Sequence, residues 1–455
     1  MDVGKSDSHK PSPPPPADPP KPPVGPKMNP NAGRAGDHFE AAAGDTVFHQ
    51  NDPSAAKQTV ALQPAQQDGN PTPQPSNPVP KGNFVGANYT DIGRTADGPI
   101  NPDSPGFRAA VEEDIKRLEG LGVTDLRVWA DPPGGGMNVD QMAKRIDIIA
   151  DVAAEHGMRI TVDLSDGSSA KGMDNLNGTV SDQISQRLAV MDANQGHSNI
   201  DWSMGNEIGL NGNASKADMD AFATFVENQA ATMRQHMGDG QHLVIELTPG
   251  ALGNHPGSPG PNATTDDVLA AMHRVARAVD TVSIHFYPVA APGQLPNQVG
   301  WIQPANDFAS LKSWQAVANQ EGRDFIVGEF AVPRDDYALA SGKVPGLDLN
   351  NPDAVTAAKN DPNFPSVMDQ IDPQQYADLT NQWLGELYGM GVRQVRFWQL
   401  TKDDPGHNDP SSLDTAAAGH GDETQKVVEM LQGSGWVGRP APGTETEEPT
   451  PTPKI

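Results

Sequence analysis

Two distant segments of this 455-residue chain each place a glutamate after a short, mostly apolar sequence. They are Trp202-Ser203-Met204-Gly205-Asn206-Glu207 and Ile326-Val327-Gly328-Glu329-Phe330. Buried parallel strands carry almost no ionisable residues along their length, so an acid at the carboxyl end of such a strand faces a site. A pair of facing carboxyl groups is the minimum needed to break a glycosidic bond. We therefore expect Glu207 and Glu329 to face each other.

The elements that must position these acids follow a repeating pattern. Short β-branched segments alternate with amphipathic ones, which is typical of βα units and a parallel sheet. The predicted strands are Phe84–Tyr89, Asp125–Trp129, Arg159–Leu164, Trp202–Glu207, Leu243–Leu247, Thr281–Tyr287, Ile326–Phe330 and Gln394–Trp398. Eight repeats predict a closed (β/α)8 TIM barrel. An open doubly wound sheet, which more often stops at five or six strands, is the weaker alternative.

Two helices of this pattern begin with a recognisable capping box. Ser215 with Asp218 precedes a long helix that reaches Met237, and Thr264 with Asp267 precedes the next one. Residues 331–372, between the seventh strand and a helix that begins at Pro373, are predicted to form a long loop.

The barrel is predicted over residues 81–438, between two polar flanks. Residues 1–80 are rich in proline, glycine, serine, asparagine and glutamine, and include the run Pro13-Pro14-Pro15-Pro16. Such a composition offers too little apolar surface to offset the entropy of ordering, so a disordered leader is expected. Residues 439–455, rich in Pro, Thr and Glu, are expected to form a disordered tail.

Charge and composition limit the partners. The net charge of −27 repels phosphate backbones and anionic membranes, so neither a nucleic-acid nor a membrane partner is expected. The chain has no cysteine and no apolar segment near the ~20 residues of a membrane helix. Its amino terminus lacks the apolar stretch of a standard signal peptide, so we expect secretion by a non-classical route, with a cytoplasmic location as the alternative. A monomer is expected.

The predicted strand ends collect side chains that suit a sugar. Carboxylates, hydrogen-bonding groups and aromatic rings occur there without a cluster of metal ligands. These residues are Asn88, Tyr89, Arg127, Trp129, Asp163, Asn206, Glu207, Glu246, His285, Tyr287, Glu329 and Trp398. Of the acids, Asp163 and Glu246 are expected to form structural ion pairs. Trp202 and Trp301 are equally compatible with sugar-stacking platforms and with packing.

With these residues the chain resembles the retaining (β/α)8 glycoside hydrolases of clan A, and most of all the family 5 cellulases and mannanases. The resemblance extends from about Asn83 to Gly435. It implies that Asn206-Glu207 supplies the general acid/base after strand four and that Glu329 is the nucleophile after strand seven. It also implies supporting or substrate-binding roles, which fall on Arg127, His285, Tyr287, Trp398, Asn88 and Trp301. No cofactor is implied, because acid–base and nucleophilic chemistry on acetals needs none.

Roles and departures follow from that resemblance. Arg127 and Tyr287 should hold Glu329 ionised and aimed, and Asn206 should bind the 2-hydroxyl of the sugar. The pKa of Glu207 should be raised by its negative neighbour. Ile208 stands where the family usually has proline, and Leu164-Ser165-Asp166 lacks the family's histidine after strand three. The missing histidine leaves the subsite for the scissile sugar, and hence the substrate, open.

Three functions remain in competition. The first is endo-hydrolysis of a β-linked polysaccharide, either a glucan or a mannan. The second is an exo-acting or oligosaccharide-specific enzyme of the same clan, which the long segment 331–372 would favour by closing one end of a cleft. The third is a catalytically silent barrel that binds glycan, or an exported interaction protein. The presence of Glu207, Glu329 and Arg127 speaks against silence, because binding alone does not need them.

Overall fold

The computed structural model describes residues 83–90, 92–93, 100–132, 136–165, 167, 169–253, 255–257, 259–300, 302–400 and 421–442. The predicted leader over residues 1–80, Trp301 and the tail beyond residue 442 lie outside the described residues. Within the described residues, no helix combines the length and the apolarity that a membrane span requires.

Eight parallel strands close into a barrel in chain order. They are β1 (Val85–Tyr89), β2 (Asp125–Trp129), β3 (Arg159–Asp163), β4 (Ile200–Ser203), β5 (His242–Leu247), β6 (Thr281–Phe286), β7 (Asp324–Phe330) and β8 (Gln394–Leu400). The last strand pairs with the first, with Val395 opposite Val85. The predicted TIM barrel is therefore confirmed, and the open doubly wound sheet is wrong.

Helices connect the strands. They are α1 (Phe107–Gly120), α2 (Val139–Glu155), α3 (Met173–Asn175), α4 (Ser181–Ala193), α5 (Lys216–Arg234), α6 (Thr265–Ala278), α7 (Pro304–Gln320), α8 (Arg334–Ala340), α9 (Pro352–Lys359), α10 (Phe364–Met368), α11 (Pro373–Gly389) and α12 (Gly421–Gly433). A π-helical turn, Leu176–Val180, joins α3 to α4. Both predicted capping boxes form: Ser215 caps α5 with Asp218, and Thr264 caps α6 with Asp267.

The strands separate an apolar outer layer from a charged interior. Leu126 and Val128 of β2 belong to the hydrophobic core. Arg396 of β8 instead reaches Asp125 of β2 at 2.8 Å and Thr161 of β3 at 2.6 Å. Because β8 is adjacent to neither strand, these contacts cross the barrel interior. Ion pairs thus occupy space that bulky branched side chains fill in most such barrels, and buried charges of this kind persist when they are paired.

The fourth strand is shorter at its carboxyl end than the sequence predicts. It ends at Ser203, so Asn206 and Glu207 lie in the following segment rather than on the strand. The apolar residues Met204 and Ile208 extend the sequence pattern because the chain still follows β5. The Met204 N–H donates to the Val244 carbonyl at 3.2 Å, and the Ile208 N–H donates to the Glu246 carbonyl at 3.1 Å.

The segment over residues 331–372 is not the long loop predicted. It contains α8, α9 and α10, which share a small apolar cluster of Leu339, Val355 and Phe364. The sequence held a signal for one of these helices: Asn351 caps α9 through the N–H groups of Asp353 and Ala354, with Pro352 at the first position. The prediction of a loop was therefore wrong because local capping was overlooked.

The first and last described residues of the barrel pair with each other. The Phe84 N–H donates to the Arg439 carbonyl at 2.8 Å, and Asn83 pairs with Pro440 in an antiparallel bridge. The described residues thus extend four residues past the predicted barrel end at 438, as far as residue 442. The outer limits of the predicted leader and tail stay predictions.

Candidate active site

Arg127 occupies the centre of the carboxyl face of the barrel. Its guanidinium is fully buried. Nη1 donates to Glu329 Oε1 at 2.6 Å and to Asn88 Oδ1 at 3.1 Å. Nη2 donates to Asp163 Oδ2 at 2.6 Å and to Asn206 Oδ1 at 2.8 Å. Burial acts to lower the pKa of Arg127, but the surrounding carboxylates outweigh it and raise that pKa. The arginine is thus a permanent cation that joins β1, β2, β3, β7 and the segment after β4.

Glu329 is held on both carboxylate oxygens. Arg127 binds Oε1, while the Tyr287 hydroxyl donates to Oε2 at 2.5 Å. His285 Nδ1 lies 3.1 Å from the same Oε2. The expected contacts of Arg127 and Tyr287 with this glutamate are therefore present. Together they fix the carboxylate in one orientation.

A register shift in β7 aims Glu329 at His285. Ile284 is opposite Val327, but His285 is opposite Glu329, so Gly328 is an extra residue on β7. Without this bulge, the alternation of the strand would turn either His285 or Glu329 away from the interior. The bulge therefore brings the two side chains to the same face.

Glu207 lies within reach of Glu329. One oxygen of each carboxylate and a ring nitrogen of His285 all lie within 4.8 Å of one another. The Ser169 hydroxyl donates to Glu207 Oε2, and His285 Nδ1 is 3.3 Å from Oε1. Glu207 has a left-handed backbone, with φ of 46°. A non-glycine residue adopts that conformation rarely, and such strain is concentrated at functional sites.

The predicted raised pKa of Glu207 is wrong for this arrangement. Burial raises the pKa of Glu207, but the hydrogen bonds and charge of His285, with the Ser169 hydroxyl, outweigh burial and lower it to about 2. Burial acts to lower the pKa of His285, but Glu329, Glu207 and Glu246 outweigh it and raise that pKa well above its ordinary value. The imidazole therefore carries a proton and lies between the two carboxylates.

The side-chain oxygens of both predicted asparagines accept hydrogen bonds from Arg127. Asn88 is fully buried, and its amide nitrogen donates to the carbonyls of Gly328 at 2.9 Å and Phe397 at 3.2 Å. It supports the arginine and the strand ends rather than facing a substrate. Asn206 donates to the Gly167 carbonyl at 2.9 Å, which uses one of its two amide hydrogens.

The aromatic residues divide into three groups. Trp398 is half-buried and packs edge-to-face on Trp129, with 5.7 Å between ring centroids. Trp129 in turn lies against Arg127, with 4.6 Å between the guanidinium carbon and the ring. Trp202 is fully buried and donates to Gln241, so it packs in the core and is not a sugar platform. Trp301 lies outside the described residues.

Solved structures with a similar fold include glycoside hydrolases. The endo-β-1,4-mannanase of Thermotoga petrophila is 13% identical, with a TM-score of 0.42 over 77% of this chain and 77% of that one. The endo-1,4-β-mannanase of Eisenia fetida is 14% identical, with a TM-score of 0.42 over 77% and 91%. Cel5A of Thermotoga maritima is 12% identical, with a TM-score of 0.41 over 76% and 96%.

No protein-family model and no curated protein sequence matches the chain. At the identities and TM-scores above, similarity to solved structures does not transfer an activity to this chain.

Three serines of the site were missed by sequence reasoning. Ser169 contacts Glu207, Ser165 accepts from the Asn206 N–H at 3.2 Å, and Ser283 donates to Glu246. Ser165 and Ser169 lie in the segment after β3, where the resemblance predicts a histidine. Serine is common in loops, so no pattern marked these positions.

The donor set suits proton transfer better than cation binding. Glu207, His285 and Glu329 are close enough to hold a metal ion. However, Arg127 and Tyr287 already donate to the two oxygens of Glu329, and the pKa of His285 is raised, whereas a metal ligand must be a neutral imidazole. The geometry therefore favours two carboxylates with a protonated histidine between them.

Proposed function

We propose that this protein is a retaining glycoside hydrolase acting on a β-linked glycan, with Glu329 as nucleophile and Glu207 as acid/base. The observation that carries the proposal is the approach of the two carboxylates to within 4.8 Å. Retaining enzymes hold their carboxyl groups about 5–5.5 Å apart, whereas inverting enzymes need about 6.5–9.5 Å to admit a water. One oxygen of each carboxylate within 4.8 Å of the other fits the retaining spacing better than the inverting one, which supports direct attack by Glu329.

In the first step, Glu329 attacks the anomeric carbon while the glycosidic oxygen is protonated. Arg127 and Tyr287 keep the nucleophile ionised and aimed. The proton moves from His285 Nδ1 to Glu207 and from there to the leaving oxygen, so the glycosidic bond breaks and an alcohol departs. A glycosyl ester on Glu329, an ionised Glu207 and a neutral His285 remain.

In the second step, water regenerates the enzyme. Glu207 removes a proton from water, whose oxygen attacks the anomeric carbon and releases the Glu329 carboxylate. The proton returns through Glu207 to His285, whose positive charge is again stabilised by the freed carboxylate. The first step gives the proton of the Glu207–His285 pair to the leaving alcohol, and the second step restores it from water.

A cavity close in sequence to Glu207 is the proposed site for the leaving group. A cavity of about 570 Å³ is lined by Lys171 to Asn175 and by Leu210 to Ala214, with Asp218. These two segments follow Ser169 and Glu207, which contact each other. The cavity is therefore lined by the residues that follow Ser169 and Glu207 in the chain, and we assign the leaving group to it as part of the proposal.

Exo-action is the second candidate, and the segment over residues 331–372 favours it. The Gly300 N–H donates to the Leu349 carbonyl at 2.8 Å, so this segment is fixed to the loop after β6. Helices α8 to α10 beside β6 and β7 would close that end of a substrate cleft, as an exo-acting enzyme requires. Comparing the fall in viscosity with the release of reducing ends separates the modes, because an endo-enzyme lowers viscosity early.

The proposal is tested with β-glucans, β-mannans and xylans and with matched aryl glycosides. Glu207→Gln should lower kcat/KM by about 10²–10⁴-fold on polymers. It should lose much less on a dinitrophenyl glycoside, whose leaving group departs without protonation. Glu329→Gln should be inactive on both. Glu113→Gln, an exposed glutamate on α1, is the matched control and should match the wild type.

A 2-deoxy-2-fluoro-glycoside should trap the nucleophile. The slow second step should leave one glycosyl group on the peptide that contains Glu329, detectable by mass spectrometry. Labelling of another residue, or full activity of Glu329→Gln, would refute the assignment.

A further inference from the structure

Glu246 lies directly beneath His285 and has no place in the steps above. It belongs to β5 and is fully buried. Its Oε2 is 3.2 Å from His285 Nε2 and also accepts from the Ser283 hydroxyl. Its Oε1 is 3.5 Å from Arg127 Nε and 3.6 Å from Arg396 Nη1. The imidazole is thus held between this carboxylate on one side and the two reacting glutamates on the other.

The space around Glu246 is shaped for a carboxylate. Gly328 is the extra residue of the β7 bulge, and a Cβ at this position would overlap both the Ser283 hydroxyl and the Glu246 carboxylate. Only glycine therefore allows β7 to pass so closely while Glu329 follows it. The bulge, the serine and the glycine together hold one oxygen of Glu246 against His285.

Charge balance distinguishes Glu246 from an ordinary ion-pair partner. Arg127 already donates to Asp163 and Glu329 at 2.6 Å each, and Arg396 donates to Asp125 at 2.8 Å. Glu246 approaches both arginines at longer range, where charge attracts without orienting. Its orienting contacts go to Ser283 and His285. The structural ion pair expected from the sequence is present, but it does not account for the contact with the histidine.

We propose that Glu246 is a positioning residue that holds His285 with Nε2–H towards the barrel interior and Nδ1–H towards Glu207 and Glu329. The inference rests on the proposed function, since it assigns the origin of the proton that Glu207 delivers. With Nε2 committed to Glu246, the only proton that His285 can exchange is the one on Nδ1. The carboxylate also stabilises the imidazolium, so the catalytic proton stays in the site at neutral pH.

All charged groups around the imidazole contribute to this effect. Glu207, Glu329 and Glu246 face the ring directly, while Arg127, Arg396 and the Tyr287 hydroxyl contact those carboxylates, and Lys171 acts on Glu207 from the segment after β3. Because an opposite charge at this range raises the pKa of a base, removal of the Glu246 carboxylate should lower the pKa of His285.

The first test is a nuclear magnetic resonance titration of the full chain labelled with ¹⁵N-histidine. The ring signals of His285 are assigned by their loss in His285→Asn. In Glu246→Gln, the imidazolium should lose its proton about 1–3 pH units lower than in the wild type. Asp125→Asn is the matched control, because it also removes a buried interior carboxylate but one that binds Arg396. Equal His285 titration in wild type and Glu246→Gln, or an equal shift in Asp125→Asn, would overturn the proposal.

The second test is the pH dependence of kcat/KM on an aryl glycoside. Loss of the shared proton sets the basic limb, so Glu246→Gln should move that limb to lower pH by the shift seen in the titration. Asp125→Asn should leave it in place. If Glu246→Gln does not fold, Glu246→Asp keeps the charge farther from the ring and should give a smaller shift in the same direction. An unmoved basic limb beside a shifted titration would refute the role in catalysis.

The two tests separate this proposal from the proposed function. The titration needs no substrate, so it reports on Glu246 even in a protein without glycosidase activity. An inactive protein with the predicted shift would contradict the function alone. An active protein without the shift would contradict only the role of Glu246.

Discussion

At the scale of single residues, a single protonated histidine contacts three carboxylates. Glu207, Glu329 and Glu246 all contact His285, and Arg127 supplies a second positive charge beside them. Like charges this close cannot all ionise unless cations lie between them. The raised pKa that the sequence predicts for Glu207 moves instead to its neighbour, since imidazole accepts a proton more readily than carboxylate does. In the proposed mechanism, the acid needed for bond cleavage is therefore the histidine–glutamate pair.

Tyr287 gives a prediction at this scale. Tyr287→Phe removes the hydrogen bond to Glu329 Oε2 but keeps the ring. Hydrogen bonds to charged groups contribute about 1.5–3 kcal/mol, so kcat/KM on an aryl glycoside should fall about 10- to 150-fold. Tyr388→Phe is the control, since the ring of Tyr388 packs on Phe84 and Trp436, beside the start of β1. Comparable losses in both variants would contradict the role of the hydroxyl.

At the scale of elements, the helix caps were readable from sequence and give a prediction for α5. Ser215→Ala removes the acceptor for the Asp218 N–H and should lower the free energy of unfolding by about 1 kcal/mol, with activity retained. Thr232→Ala, on the exposed face of the same helix, should change it little. Denaturant unfolding with both variants measures the difference, and an equal cost for each would argue against the cap.

The strands and their order were predictable because each apolar segment is bounded by polar turns. The end of β4 was not, since Met204 and Ile208 continue the apolar pattern along β5 after the regular pairing stops. The helices of residues 331–372 were missed because each is short. Contacts such as Glu246 with His285 depend on which inward side chains meet across the interior. That depends on the register and on the bulge at Gly328, neither of which leaves a local pattern in the sequence.

At the scale of the whole molecule, a charged interior makes stability depend on pH. The pKa of Glu207 is lowered to about 2 and that of Glu246 also to about 2. A carboxylate with a lowered pKa contributes stability above its ordinary pKa of about 4.5, and this contribution is lost as the pH falls towards 2. His285 has the opposite sign: its contribution is complete below about 6.5 and is lost as the pH rises through its raised pKa.

Acid unfolding should therefore report on the site. Between pH 4.5 and pH 2 the wild type should lose about 3 kcal/mol through Glu207 alone, an order-of-magnitude figure. Glu207→Gln lacks this titration, so its thermal midpoint should fall less steeply over the same interval, while Glu113→Gln should follow the wild type. Parallel curves for all three proteins would show that Glu207 is not ionised in the native state.

The pairing of Asn83 with Pro440 and of Phe84 with Arg439 has a consequence for engineering. These contacts lie at the amino ends of the strands, whereas the candidate active site lies at their carboxyl ends. Joining residues 83 and 442 by a short peptide and opening the chain in a surface turn should give a circular permutant with the same barrel. A reporter domain attached at residue 83 or at residue 442 would therefore lie at the end of the barrel opposite the candidate site and would not block access to that site.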